Sequence, residues 1–203
     1  MQRILIIDDE KSMRELLSHM LKRAGYRIGA AECGEKGFEL FEKDAYDLVI
    51  SDVSMPGLSG LALIKRLKDE KPKLRILVLS MHGESQYAAR ALKAGASGYL
   101  NKDSAAEQLV GAIRKIAAGG VHIGEAAAAS LIATDKSPHE TLSDREFEVF
   151  RLIASGRSGK EIAVELSLSF KTVSTYRTRV LQKLNLHTNY DLVNYARQEG
   201  LVE

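Results

Sequence analysis

The sequence predicts a doubly wound α/β domain with a five-stranded parallel sheet, followed by a small all-α domain of four helices. Three observations predict it. Short apolar runs alternate with amphipathic stripes through residues 1–120. Strand-like runs then stop, and everything from Thr141 onward has helical periodicity. Between the two regimes lie Gly119-Gly120 and a polar stretch containing Pro138. A length of 203 residues fits two small domains with their own cores.

The first unit, 1–120, opens with the strand Arg3–Ile7. Met13, Leu16, Leu17, Met20 and Leu21 follow at helical spacing, the apolar stripe of a first helix. Arg27–Ala31 is a short, weak strand, and Gly34–Lys43 a helix with Gly37, Leu40 and Phe41 on one face. Strand Tyr46–Ser51, helix Leu58–Glu70, strand Arg75–Ser80, helix Glu84–Lys93, strand Ser97–Leu100 and helix Ser104–Ala118 complete the alternation. Residues 121–140 read as an interdomain linker with an Ala-rich stretch able to form a short helix. In 141–203, helices are expected over 144–155, 159–166, 170–184 and 189–198. Ser143/Glu146, Ser158/Glu161 and Thr188/Asp191 have capping-box spacing, and Ser169 is placed to cap the third helix.

Composition narrows the class. The chain is 45% hydrophobic and 28% charged, enough apolar content for a core. No apolar run reaches the ~18–20 residues of a membrane span, and the first meets acid too early for a signal peptide. One cysteine, Cys33, excludes an internal disulfide framework and a multi-Cys zinc site, and the histidines lack metal-binding spacing. A cytoplasmic protein without membrane contact is expected. The net charge is only +2, but Leu166–Tyr190 carries Lys171, Arg177, Arg179 and Lys183 with no acidic residue. Such local separation suits a phosphate-facing surface.

Chemistry should gather at the carboxyl ends of the strands. Asp8, Asp9 and Glu10 follow the first strand, Asp52 the third, Ser80 the fourth and Lys102 the fifth. Convergent carboxylates repel unless a cation neutralises them, and hard oxygen ligands suit Mg²⁺. A lysine and a hydroxyl beside them offer a point charge and a hydrogen-bond donor to a phosphoryl group, which an Asp carboxylate can itself accept.

This constellation resembles the receiver domain of bacterial two-component response regulators, whose fold is flavodoxin-like, and the resemblance covers residues 1–120. It implies that Asp52, in SDVSMPG, is the phosphoacceptor. It further implies that Asp9 and Asp52 ligate Mg²⁺, with Asp8 acting through water and the Ser54 backbone carbonyl as a further ligand. Lys102 matches the phosphate-contacting lysine. Ser80 and Tyr99 match the hydroxyl and aromatic switch positions, Ser80 turning toward phosphate and Tyr99 following inward. A sensor histidine kinase is the implied donor. Two residues depart from the commonest pattern: Met81 follows the switch serine, where it is expected to narrow water access, and Asp103 replaces a frequent proline.

In the second unit, helix 159–166, the turn Ser167-Leu168-Ser169 and helix 170–184 have helix-turn-helix spacing. Val173, Val180, Leu181 and Leu184 form the apolar stripe of the longer helix, edged by short hydroxyl side chains and flanked by cations that suit a DNA major groove. Residues 142–196 resemble the LuxR-type helix-turn-helix domain, so the whole chain is similar to NarL/FixJ-type response regulators. By that resemblance Ser174, Thr175 and Thr178 meet base edges of double-stranded DNA. Lys160, Lys171, Thr172, Tyr176, Arg179 and Lys183 contact mainly phosphates. Arg177 is expected to lean inward toward Glu161 or Glu165. Leu192, Tyr195 and Ala196 form either a dimerisation patch or part of the core. A homodimer is implied on phosphorylation, and RNA polymerase stands as a further partner.

Two other readings fit less of the sequence. A metal-dependent phosphatase of the haloacid-dehalogenase type would show DxDxT after the first strand, where this chain has Asp8-Asp9-Glu10-Lys11, and would need a cap insertion. A phosphorylation-independent platform would have no use for the full Asp9–Asp52–Ser80–Lys102 set. No turnover of a separate substrate is therefore expected; Asp52 takes up and loses its own phosphate.

Overall fold

The computed structural model describes residues 2–81, 84–124, 128 and 137–202, the side chains of 84–86 excepted. The chain divides into two compact units, Met1–Ile132 and Ala133–Glu203. In the first, β1 (Arg3–Ile7), α1 (Lys11–Arg23), β2 (Arg27–Ala31), α2 (Gly34–Lys43), β3 (Leu48–Asp52), α3 (Gly60–Glu70), β4 (Arg75–Ser80), α4 (Glu84–Lys93), β5 (Gly98–Asn101) and α5 (Ala105–Ala117) alternate as expected. All strand pairs are parallel, in the order β2-β1-β3-β4-β5. The order reverses between β1 and β3, which puts the carboxyl ends of those two strands at the crevice where ligands bind in such sheets.

Side-chain alternation sorts the strands into two buried faces. Ile4 and Ile6, Leu48 and Ile50, Leu77 and Leu79, and Leu100 pack with Leu17 and Leu21 of α1 and Leu109, Ile113 and Ile116 of α5. Leu5, Ile7, Val49, Ile76 and Val78 are equally buried and belong to the opposite face, where α2 lies against β1. Burial on both faces explains why these strands read as continuous apolar runs.

Helix α3 starts at Gly60, two residues later than expected, because Ser59 is its N-cap and accepts a hydrogen bond from the Ala62 N–H. The start is also sterically fixed: a methyl group at Gly60 would overlap the Asp52 carbonyl oxygen and Val53. Both ends of the 121–140 stretch carry local structure. His122 bridges to Gly98, its carbonyl accepting from Tyr99 N–H at 2.7 Å, and a Cβ at Gly98 would sit 2.8 Å from that carbonyl oxygen. At the other end, Pro138–Thr141 forms a 3-10 turn with His139 buried. The expected Ala-rich helix lies outside the described residues.

The second unit has α6 (Asp144–Ala154), α7 (Gly159–Glu165), α8 (Phe170–Leu184) and α9 (Asn189–Gln198). All three expected capping boxes form, and Ser169 caps α8 by accepting from Thr172 N–H at 3.0 Å. Phe147, Phe150, Ile162, Val173, Val180, Leu192 and Ala196 are buried as its core. The Tyr195 hydroxyl lies 2.9 Å from His139 Nδ1, beside Phe147 and Phe150. Leu192 and Ala196 are therefore part of the domain's own core, and Tyr195 is half-buried. None of the described helices is long and apolar enough to cross a membrane.

Candidate functional site

The sheet brings Asp8, Asp9, Asp52 and Lys102 together. Asp8 is 1% exposed and Asp52 5%, whereas Asp9 is exposed to solvent. One carboxylate oxygen from each Asp lies within 4.8 Å of the others. Lys102 Nζ sits 2.6 Å from Asp52 Oδ2 and 2.8 Å from Asp8 Oδ2. The backbone completes the cradle: Ser54 N–H donates to Asp52 Oδ1 at 2.9 Å, and Glu10 N–H donates to Asp8 Oδ1 at 2.9 Å.

The charge balance is unfavourable without a further cation. Three carboxylates, two of them buried, face one ammonium, with the Arg14 guanidinium on the backbone of the acidic turn. Burial raises the Asp52 pKa, with Asp8 adding to the effect, even though Lys102 and Ser54 N–H pull it down. Burial alone would lower the Lys102 pKa, but Asp52 and Asp8 outweigh it and raise it, so the ammonium stays charged. Both directions follow from one cation shared between two buried anions. Asp8 Oδ2 is held by the Lys102 ammonium at 2.8 Å, so one lysine serves both buried carboxylates. An all-oxygen cluster of three carboxylates, two of them buried and sharing a single lysine, fits a hard divalent ion.

Ser80 is fully buried at the end of β4, and Tyr99 in β5 is 1% exposed, its ring already inward. Met81, next to Ser80, is 58% exposed, and His82 lies outside the described residues. Sequence reasoning missed Arg14. Its Nη1 donates to the Asp8 carbonyl at 2.7 Å and the Asp9 carbonyl at 2.8 Å, tying α1 to the acidic turn. The available signal was a cation in the first turn of the helix that follows the acidic pair.

In the second unit, Lys160, Lys171, Ser174, Thr175, Thr178 and Arg179 are exposed, and Thr172 and Tyr176 partly so. The Thr175 hydroxyl donates to the Lys171 carbonyl and the Thr178 hydroxyl to the Ser174 carbonyl. Two cations have partners that the sequence did not show. Lys183, expected at phosphates, is partly exposed and pairs through Nζ with the buried Glu146 at 2.6 Å, fastening α8 to the start of α6. Burial would raise the Glu146 pKa, but hydrogen bonds from Lys183 and the Ser143 backbone lower it. Arg177 donates from Nε to Asn189 Oδ1, while Glu165 lies 4.0 Å from Arg157 and Glu161 caps Ser158. Cys33 is half-buried.

Comparison with known proteins agrees with this geometry. Residues 4–114 match the family model described as response regulator receiver domain, and residues 140–196 that of bacterial regulatory proteins, luxR family. The chain is 34% identical to the response regulator UvrY of Escherichia coli over 98% of its length and 94% of UvrY. It is 33% identical to the response regulator GacA of Pseudomonas aeruginosa over 100% of this chain and 99% of GacA. Among solved structures, RcsB from Salmonella enterica serovar Typhimurium, bound to promoter rprA in the presence of phosphomimetic BeF3⁻, superposes with a TM-score of 0.67. That match has 26% identity and covers 96% of this chain and 98% of RcsB. A receiver sheet with its acidic pocket and a capped helix-turn-helix unit, matched in the same order over the full chain, make this protein a two-component response regulator of the NarL/FixJ type with a LuxR-type DNA-binding domain.

Proposed function

We propose that Asp52 accepts a phosphoryl group from a sensor histidine kinase, and that this event drives dimerisation and sequence-specific binding of double-stranded DNA. The observation that carries the reading is the buried Asp52 carboxylate, held by Lys102 at 2.6 Å beside Asp8 and Asp9. In the transfer, an Asp52 oxygen forms a bond to phosphorus as the phosphorus–nitrogen bond of a phosphohistidine breaks, and the imidazole takes up a proton. Forming the acyl phosphate takes the charge off the Asp52 carboxylate and places about two negative charges on the phosphoryl oxygens, one of which Lys102 then pairs with. The Ser80 hydroxyl at the end of β4 donates a further hydrogen bond. Tyr99 packs inward behind it, as it already does here.

Mg²⁺ fits the cluster, with Asp9, Asp52 and the Ser54 carbonyl as direct ligands and Asp8 acting through water; when bound it neutralises phosphoryl oxygens. The receiver spans 1–120 with the short β5 extension at His122, and the DNA-binding domain spans 141–203 with the turn at Pro138. Lys160, Lys171, Thr172, Tyr176 and Arg179 approach phosphates, and Ser174, Thr175 and Thr178 approach base edges. Because the Thr175 and Thr178 hydroxyl hydrogens are committed to backbone carbonyls, these side chains offer bases an acceptor oxygen and a methyl group. RNA polymerase is the downstream partner, and spontaneous hydrolysis at Asp52 resets the switch without a separate substrate.

The test uses the full chain, with and without Mg²⁺ and beryllofluoride, in selection from random duplexes with molar mass measured in parallel. A dimer that enriches a two-half-site sequence supports the reading. Identical mass and enrichment in both states would remove the link between phosphorylation and DNA binding.

A further inference from the structure

We infer that Arg14 is a positioning residue for the divalent-cation site, acting through the backbone of the acidic turn; this rests on the proposed role of the Asp8–Asp9–Asp52 cluster. One guanidinium nitrogen of Arg14 donates to both the Asp8 and Asp9 carbonyls, at 2.7 and 2.8 Å. The turn is further fixed by Asp8 N–H donating to the Ala31 carbonyl and by Arg14 N–H donating to the Glu10 carbonyl. Two adjacent carbonyls drawn to one donor set the orientation of both peptide planes. That orientation in turn sets where the Asp8 and Asp9 side chains leave the chain. Asp8 is buried and Asp9 exposed, so their convergence on Asp52 depends on the backbone between them. Arg14 thus holds two ligands in register while touching neither carboxylate.

Charge and positioning predict opposite signs, which makes the inference testable. As a bare positive charge near an acidic site, Arg14 repels a cation, so its removal would tighten metal binding. As a positioning residue it preorganises the ligands, and its removal loosens binding; groups that orient metal ligands typically contribute about 10–100-fold in affinity.

The experiment titrates magnesium chloride into the full chain by calorimetry, for wild type, Arg14→Ala and Arg14→Lys. Thermal melts confirm that each is folded. Phosphorylation from acetyl phosphate is followed against Mg²⁺ concentration. The expected result is a dissociation constant for Mg²⁺ raised about tenfold in Arg14→Ala. The phosphorylation rate should recover at saturating Mg²⁺, and Arg14→Lys should be intermediate. If Arg14→Ala fails to fold, Arg14→Lys against wild type decides alone. Unchanged or tighter binding in folded variants would overturn the positioning role. A wild type that takes up no Mg²⁺ would overturn the cation-site reading itself, a result distinct from a failure of the Arg14 inference.

Discussion

At the scale of single residues, Lys102 has the largest part in holding the receiver's acidic edge together. It is 3% exposed by side chain and lies within 2.8 Å of two buried carboxylates. Removing one partner of a buried ion pair leaves uncompensated charge and typically costs about 3–5 kcal/mol. Lys102→Met should therefore lower the unfolding free energy of the metal-free receiver by about 3 kcal/mol, measured by urea denaturation. A loss within error of zero would mean that the carboxylates are neutral rather than paired. The pairing was legible in the sequence only as a convergence of strand ends. That convergence is a property of the topology, and so Asp8, Asp52, Ser80 and Lys102 could all be placed. Arg14 could not, because its partners are main-chain carbonyls, which carry no residue identity.

At the scale of elements, two joints decide how the sites are presented. The first is the contact of α3 with the backbone of Asp52 and Val53 across Gly60. Gly60→Ala should push α3 away from the β3 end. Stability should fall by about 1–3 kcal/mol, as overpacking does, and phosphorylation should slow; an unaltered rate in a folded variant would show that the Asp52 loop tolerates the shift. The second joint is Lys183 with Glu146, which are 37 residues apart in sequence. Because the Glu146 pKa is depressed in the fold, its stabilising contribution is present above the ordinary glutamate pKa. It is lost as pH falls through that range toward the folded value. Acid unfolding of the second unit should show this dependence, and Lys183→Met should flatten it. In DNA-binding assays, Lys171→Met should reduce the salt slope by about one phosphate contact, and Lys183→Met should leave the slope unchanged. Capping boxes were readable because cap and partner stand three residues apart. The Lys183–Glu146 and Arg177–Asn189 pairings were not, since a helical wheel shows which face a cation occupies but not which helix covers that face.

At the scale of the whole molecule, two units with separate cores should unfold in two calorimetric transitions, and Mg²⁺ with beryllofluoride should raise the receiver's transition by mass action. A single transition would indicate that the units fold as one cooperative body. The fold class was readable because apolar periodicity changes character at Gly119-Gly120. The contacts at the two ends of 121–140 were not, because His122 joins the sheet edge through backbone hydrogen bonds and His139 is held by Tyr195, an aromatic 56 residues away. The central claim is that Asp52 is the phosphoacceptor. Its most direct test is the intact mass of the full chain after incubation with Mg²⁺ and acetyl phosphate, beside Asp52→Asn. One added phosphoryl group on the wild type and none on the variant is the predicted result. An equal gain by both proteins would place the phosphate elsewhere and contradict the assignment of Asp52.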